Sequence, residues 1–91
     1  VRAVSKKRAR QLRAYRPARD VFLAQHARCQ FPGGCVQQST ELHHRAGRRG
    51  LMLLDETRWS ALCHAHHAWV TEHPAAAVEM GISELRIGGA A

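Results

Sequence analysis

The sequence predicts a single small α+β domain, in which helices flank a knuckle and a short β segment. Three observations carry that expectation. Ninety-one residues are too few to build two separate cores. Hydrophobic residues make up 45% of the chain, but fifteen of them are alanine, which buries little surface, so the core is thin and calls for an internal staple. The middle of the chain, "CQFPGGCVQQSTELHH", switches from helix-like to turn and strand chemistry.

Taken in order, residues 5 to 14 have the composition of a helix, which Pro17 is expected to end or to separate from the next segment. "ARDVFLAQHAR", residues 18 to 28, reads as a second short helix with Val21, Phe22 and Leu23 turned to the body. Pro32, Gly33 and Gly34 lie between Cys29 and Cys35 and imply a tight reversal. "VQQSTELHH" reads as a strand that ends at the pair His43 and His44, and residues 45 to 50 form an Arg/Gly loop. "LMLL", residues 51 to 54, is a short run expected to be buried. No Gly or Pro interrupts Trp59 to Glu72, and Leu62, His66, Trp69 and Val70 recur at helical spacing, which predicts the main helix there. Pro74 suits the first turn of a further helix over 74 to 80, stopped by Gly81, and the last residues are expected to fray.

Charge is unevenly placed. Eight of the fourteen Lys and Arg residues fall in positions 1 to 19, and the net charge of +7 comes from that arm. Such an arm suits a phosphate backbone, because each neutralised phosphate releases counterions; the plainer reading is a solvated tail that confers solubility. The apolar residues Val4, Leu12 and Tyr15 are too few to form a membrane-binding face, and no run of about eighteen apolar residues exists, so no membrane partner is expected. Three cysteines cannot all pair with one another, and the opening lacks the apolar stretch of a secretory signal; both lead to the expectation of a reducing, cytoplasmic setting.

In that setting cysteine binds metal. Cys29, Cys35, Cys63 and His66 complete a tetrahedral Cys3His set, for which Zn²⁺ is the natural occupant, although the C-x5-C spacing is wider than the usual two to four. Buried free thiols or oxidised cysteines are the alternatives. If His66 faces that ion, His67 points about 100° away and is free to meet the segment of His43 and His44. Those two alternate faces in a strand, so one can ligate a second metal while the other remains an unligated proton acceptor. Metal ligand plus free base is the equipment of a phosphodiester hydrolase.

The order "ELHHR", loop, "WSALCHAHH", "AWVTEHPAAAVEMG" resembles the HNH endonucleases, above all the small zinc-stapled ones encoded by phages and actinobacteria, over residues 20 to 83. The resemblance implies a beta-beta-alpha-metal (His-Me finger) domain at 20–83, with a basic arm at 1–19 and a tail at 84–91. It implies a metal-dependent endodeoxyribonuclease with His44 as general base and His43 and His67 as ligands of a catalytic Mg²⁺, Mn²⁺, Ni²⁺ or Zn²⁺. Cys29, Cys35 and Cys63 match the family's zinc cysteines, and His66 stands where a fourth usually does. Arg58 replaces the family's middle asparagine, is taken with His44 as a catalytic residue, and is expected to meet a phosphate as a charged fork. DNA is the expected partner, with Lys6, Lys7, Arg8, Arg10, Arg13, Arg45, Arg48 and Arg49 on its backbone, and terminase or other packaging proteins are further partners the resemblance allows. Two other classes compete: a non-catalytic zinc-finger-like DNA-binding module, which has no use for three further histidines, and a degenerate accessory subunit of a packaging machine, which fits the missing asparagine. Trp59 and Trp69 are expected in the core, His64, His26 and His73 at the surface, and Glu41 either orients a ligand or is merely exposed.

Overall fold

The computed structural model describes residues 5–85, and its centre is a pair of short antiparallel strands, β1 (Glu41–His44) and β2 (Trp59–Leu62). Their register pairs Leu42 with Ala61 and His44 with Trp59 on one face, and Glu41 with Leu62 and His43 with Ser60 on the other. A two-stranded ribbon of this size is marginal in water unless covered. Here both faces are covered, which is why all four residues of β2 are buried.

A helix of 20 residues, α1 (Lys6–Gln25), covers the first face. Ser5 caps it: its Oγ accepts the Arg8 N–H at 3.0 Å, a standard way to satisfy one free amide of the first turn. Tyr15, Ala18, Phe22 and Leu23 pack on Leu42, Trp59 and Ala61. The second face and the strand ends meet α2 (His64–Glu72) and α3 (Pro74–Glu79), around Leu62, Val70, Ala77 and Ile82 together with Cys29 and Cys63. The fold is therefore a small α+β domain with two modest cores on either side of one hairpin. Among the described residues no helix is long and apolar enough to cross a membrane.

Several elements differ from expectation. Pro17 does not divide the N-terminal segment; one helix runs through it, and so through the 19/20 boundary proposed for the arm. A proline in a helix interior costs about 3 kcal/mol through its missing N–H and ring clash. The cost is met because Tyr15 before it and Phe22 after it both set edges against Trp59, at 5.9 and 5.4 Å between centroids, so one indole holds both halves in line. The helix expected from Trp59 to Glu72 is corrected to β2 plus a nine-residue helix, because Trp59–Leu62 pairs with β1 and Cys63 is the cap. "LMLL" is a 3-10 turn (Gly50–Leu53) in which Leu53 is wholly buried while Leu51 is 77% exposed. Helix α3 starts at Pro74 as expected, and Gly81 takes the left-handed conformation (φ 81°) that stops it. Residues 1–4 and the frayed end expected at 87–91 lie outside the described residues.

Trp59→Ala should lower unfolding free energy by about 3–5 kcal/mol, the usual range for deleting a buried aromatic. Urea denaturation measures it. A loss below about 1 kcal/mol would show that α1 does not depend on this indole for docking.

Candidate metal centre and histidine cleft

The knuckle between Cys29 and Cys35 is closed by Gly33 (φ 106°) and Gly34 (φ 81°), both in the region that side chains with a Cβ rarely adopt. The Cys29 N–H donates to the Gln37 carbonyl and the Gln30 N–H to that of Ala61, tying the knuckle to β2. Cys63 directly follows β2 and caps α2, and His66 follows one turn later. As a result Cys29, Cys35, Cys63 and His66 each offer a ligand atom within 4.8 Å of the others.

The geometry can be tested against an ion. Tetrahedral zinc with Zn–S of about 2.3 Å and Zn–N of about 2.0–2.1 Å sets sulfur and nitrogen about 3.5 Å apart. The His66 Nδ1 lies 3.5 Å from Cys29 Sγ and 3.4 Å from Cys63 Sγ. Phe31 of the knuckle stacks flat on the His66 ring, 4.0 Å between centroids and 2° between planes, and so holds the plane of the ring whose Nδ1 faces the sulfurs. Backbone amides of His66 and Ala65, at the start of α2, pull the Cys63 thiol below its ordinary pKa, whereas burial pushes the Cys29 thiol up. The four residues form a group able to hold a metal ion, and the donor set and the two nitrogen–sulfur distances are consistent with structural zinc.

The second cluster lies where β1 ends. His43, on the α2 face, has its ring centroid 5.8 Å from that of His67, and its Nε2 sits 2.8 Å from Ser83 Oγ. Glu41, two residues earlier on the same face, takes the His67 Nδ1 on one oxygen and the His64 Nδ1 on the other, each at 2.6 Å. These bonds, that to His67 foremost, hold the Glu41 carboxyl below the usual range. Glu41 thus orients a ligand candidate, and with its Nδ1 engaged His67 presents Nε2 as its remaining ligand atom. His64, expected to stand alone at the surface, is exposed but shares this carboxylate, because positions 64 and 67 lie three apart on α2.

His44 points the other way, into the α1 face. It is 7% exposed, its ring 5.4 Å from Tyr15 and 5.8 Å from Trp59. Burial, then the positive charge of Arg48, lowers its pKa to about 4, against the backbone of Leu53, whose hydrogen bond favours the protonated ring. Its Nε2 is buried with no hydrogen-bond partner. Such an atom in a polar setting is normally satisfied by water. His43, His44 and His67 nevertheless line one cleft of about 390 Å³, which wraps the end of β1 and is walled by Tyr15, Arg48 and Ser83.

The remaining predicted residues divide. Arg58 does not line the cleft: its guanidinium is held by Glu84 at 2.6 Å and by Asp55 at 3.2 Å. Arg45 lines the cleft but is tethered to the Thr57 carbonyl and lies 4.0 Å from Glu84. Arg48 and Arg49 are exposed, the former over the Tyr15 ring. Lys6, Lys7, Arg8, Arg10 and Arg13 all lie on α1 rather than on a separate arm. Trp59 is core as expected, while Trp69 is half-buried and stacks on His73 at 4.7 Å. Glu84 and Tyr15 were not legible as site residues, since no motif marks an acid that neutralises two arginines or a tyrosine that shields a histidine.

Protonating His44 is harder in the fold than in the unfolded chain, so stability is full above about pH 6.5 and falls as pH drops towards about 4, by at most about 3 kcal/mol. Ring-nitrogen NMR shifts of the metal-loaded protein should show a neutral His44 at pH 5.5. An imidazolium signature at that pH would contradict the burial argument. Chelation of the Cys3His ion should unfold the domain, as binding energy at such a site is folding energy; circular dichroism of Cys63→Ser, expected to show lost structure and lost zinc, checks this.

No protein-family model matches the chain, and comparisons with curated proteins and with solved structures return no match, so its chemistry has to be read from its own residues.

Proposed function

We propose that the protein is a metal-dependent DNA endonuclease of HNH type, a zinc-stapled beta-beta-alpha-metal domain that hydrolyses phosphodiester bonds at the histidine cleft. The observation that carries the reading is the convergence of three histidines in different states on one cleft: His67 oriented by a carboxylate, His43 facing it, and His44 neutral with an unpartnered Nε2. A zinc-finger-like binding module would account for the Cys3His group but not for this second cluster.

His43 and His67 are the residues that would hold a divalent ion, which when bound supplies Lewis-acid stabilisation of charge on the phosphate and the leaving oxygen; imidazole donors favour transition metals. His44 accepts a proton from water at Nε2. The resulting hydroxide attacks phosphorus, the bond to the 3′-oxygen breaks, and that oxygen takes a proton from water, so the products carry a 5′-phosphate and a 3′-hydroxyl; His44 then returns its proton to solvent. The Leu53 backbone and the Tyr15 ring hold the imidazole in place during the transfer. Because the pKa of His44 is about 4, its proton-accepting form persists well below neutral pH. Arg58 stands where the family has asparagine; tied to Asp55 and Glu84, it braces the segment before β2 by an ion pair instead of an amide.

Plasmid cleavage with a series of divalent metals tests the reading. His44→Ala should keep zinc and DNA affinity while losing about two orders of magnitude or more in rate, irrespective of metal concentration. His43→Ala and His67→Ala should lose activity that higher Mn²⁺ or Ni²⁺ partly restores. Unchanged cleavage by all three variants would reject the site, and tight DNA binding without cleavage by the parent under every metal would favour the binding-module alternative.

A further inference from the structure

Arg48 stands at a junction. Its guanidinium carbon lies 5.3 Å from the Tyr15 ring centroid, a cation–π contact that holds it beside the histidine cleft. It also lines a second, shallower depression, formed with Lys7, Arg8 and Gln11 from the start of α1 and Arg49 from the loop. A helix turns 100° per residue, so Arg8, Gln11, Tyr15, Ala18 and Phe22 share the face that docks on the sheet, and Lys7 borders it. Lys6, Arg10 and Arg13 fall on the opposite face. The basic residues of α1 are thus not one undifferentiated patch: some overhang the loop and others look away from it.

Among the described residues, Lys7, Arg8, Arg48 and Arg49 make no ion pair. The paired carboxylates lie elsewhere: Asp20 on Arg19, Glu41 on His64 and His67, Asp55 on Arg58, and Glu84 on Arg45 and Arg58. Four cations gathered without a carboxylate repel one another until an anion arrives. The depression is open rather than enclosing, and Arg48 makes it continuous with the cleft. That combination suits a charged chain passing across both concavities better than a small anion held in one.

We propose that this depression binds a backbone phosphate flanking the one presented to the histidines, with Lys7, Arg8 and Arg49 as its cations and Arg48 shared between the two positions. The inference rests on the reading of the cleft as a phosphodiesterase site. Its test compares two full-length triple variants that lose the same three charges: Lys7→Gln/Arg8→Gln/Arg49→Gln, and Lys6→Gln/Arg10→Gln/Arg13→Gln. Binding of each zinc-loaded protein to a DNA duplex of about 20 base pairs is measured against salt without added catalytic metal, and cleavage is then measured with Mn²⁺. The first variant should lower the slope of log affinity against log salt by about 1, at about 0.9 for the one phosphate contact, and the second should leave it nearly unchanged. Equal losses from both variants, or an unchanged slope in the first, would overturn the flanking site while leaving cleavage by the parent, and hence the cleft, intact. A parent that neither binds nor cuts DNA would overturn both.

Discussion

Two strands of four residues cannot stand alone, and every other element is placed by the need to cover them on both faces. The register decides which residues each cover meets. Pairing Leu42 with Ala61 and His44 with Trp59 gives α1 an apolar face that contains one histidine. Pairing Glu41 with Leu62 and His43 with Ser60 gives α2 a polar edge next to its own His67. A slip by one residue would exchange the faces, turning Glu41 and His43 into the α1 core and His44 out of it. The chemical difference between adjacent histidines is therefore a consequence of strand pairing: the same imidazole is half-buried and hydrogen-bonded at one position, and buried and neutral at the next.

Coverage by thin elements explains the reliance on local ties. Alanine supplies much of the apolar composition, and only Leu53 and Leu62 are large side chains sealed completely from solvent among the described residues. The knuckle is fastened to β2 through backbone bonds and through the Cys3His group. On the opposite side, Glu84 takes over the same task with charge: its backbone amide donates to the Arg45 carbonyl while its carboxylate meets Arg58. Ion pairs at partly exposed positions contribute little individually, so their role is to set the position of the segment after α3, which also brings Ser83 to His43.

The elements marked by local chemistry were legible in the sequence. Pro74 and Gly81 delimit α3, two glycines mark the knuckle, and the Cys3His spacing identified all four members of the cluster. What escaped was decided at long range. Nothing near Pro17 reveals that Trp59, far along the chain, keeps the helix straight across it. The stretch from Trp59 to Leu62 contains no helix breaker, and its strand state comes from pairing with β1 rather than from its own propensity. Arg58 shows the same limit: two carboxylates, one of them 26 residues later, determine what its guanidinium touches, and nothing in its local sequence points to that distant one.

Helix α2 is nine residues long and carries both clusters at its start: Cys63 caps it, His66 lies in its first turn, and His67 is the next residue. A helix so short is not stable by itself. The ordering that fixes His66 against the sulfurs is the ordering that aims His67 at Glu41, so the two positions share one conformational equilibrium. Thermodynamic reciprocity then applies between them. Were Cys63 and His66 to hold an ion and His67 a ligand from the cleft, each would change the other's affinity by the same factor, through the ordering of one short helix.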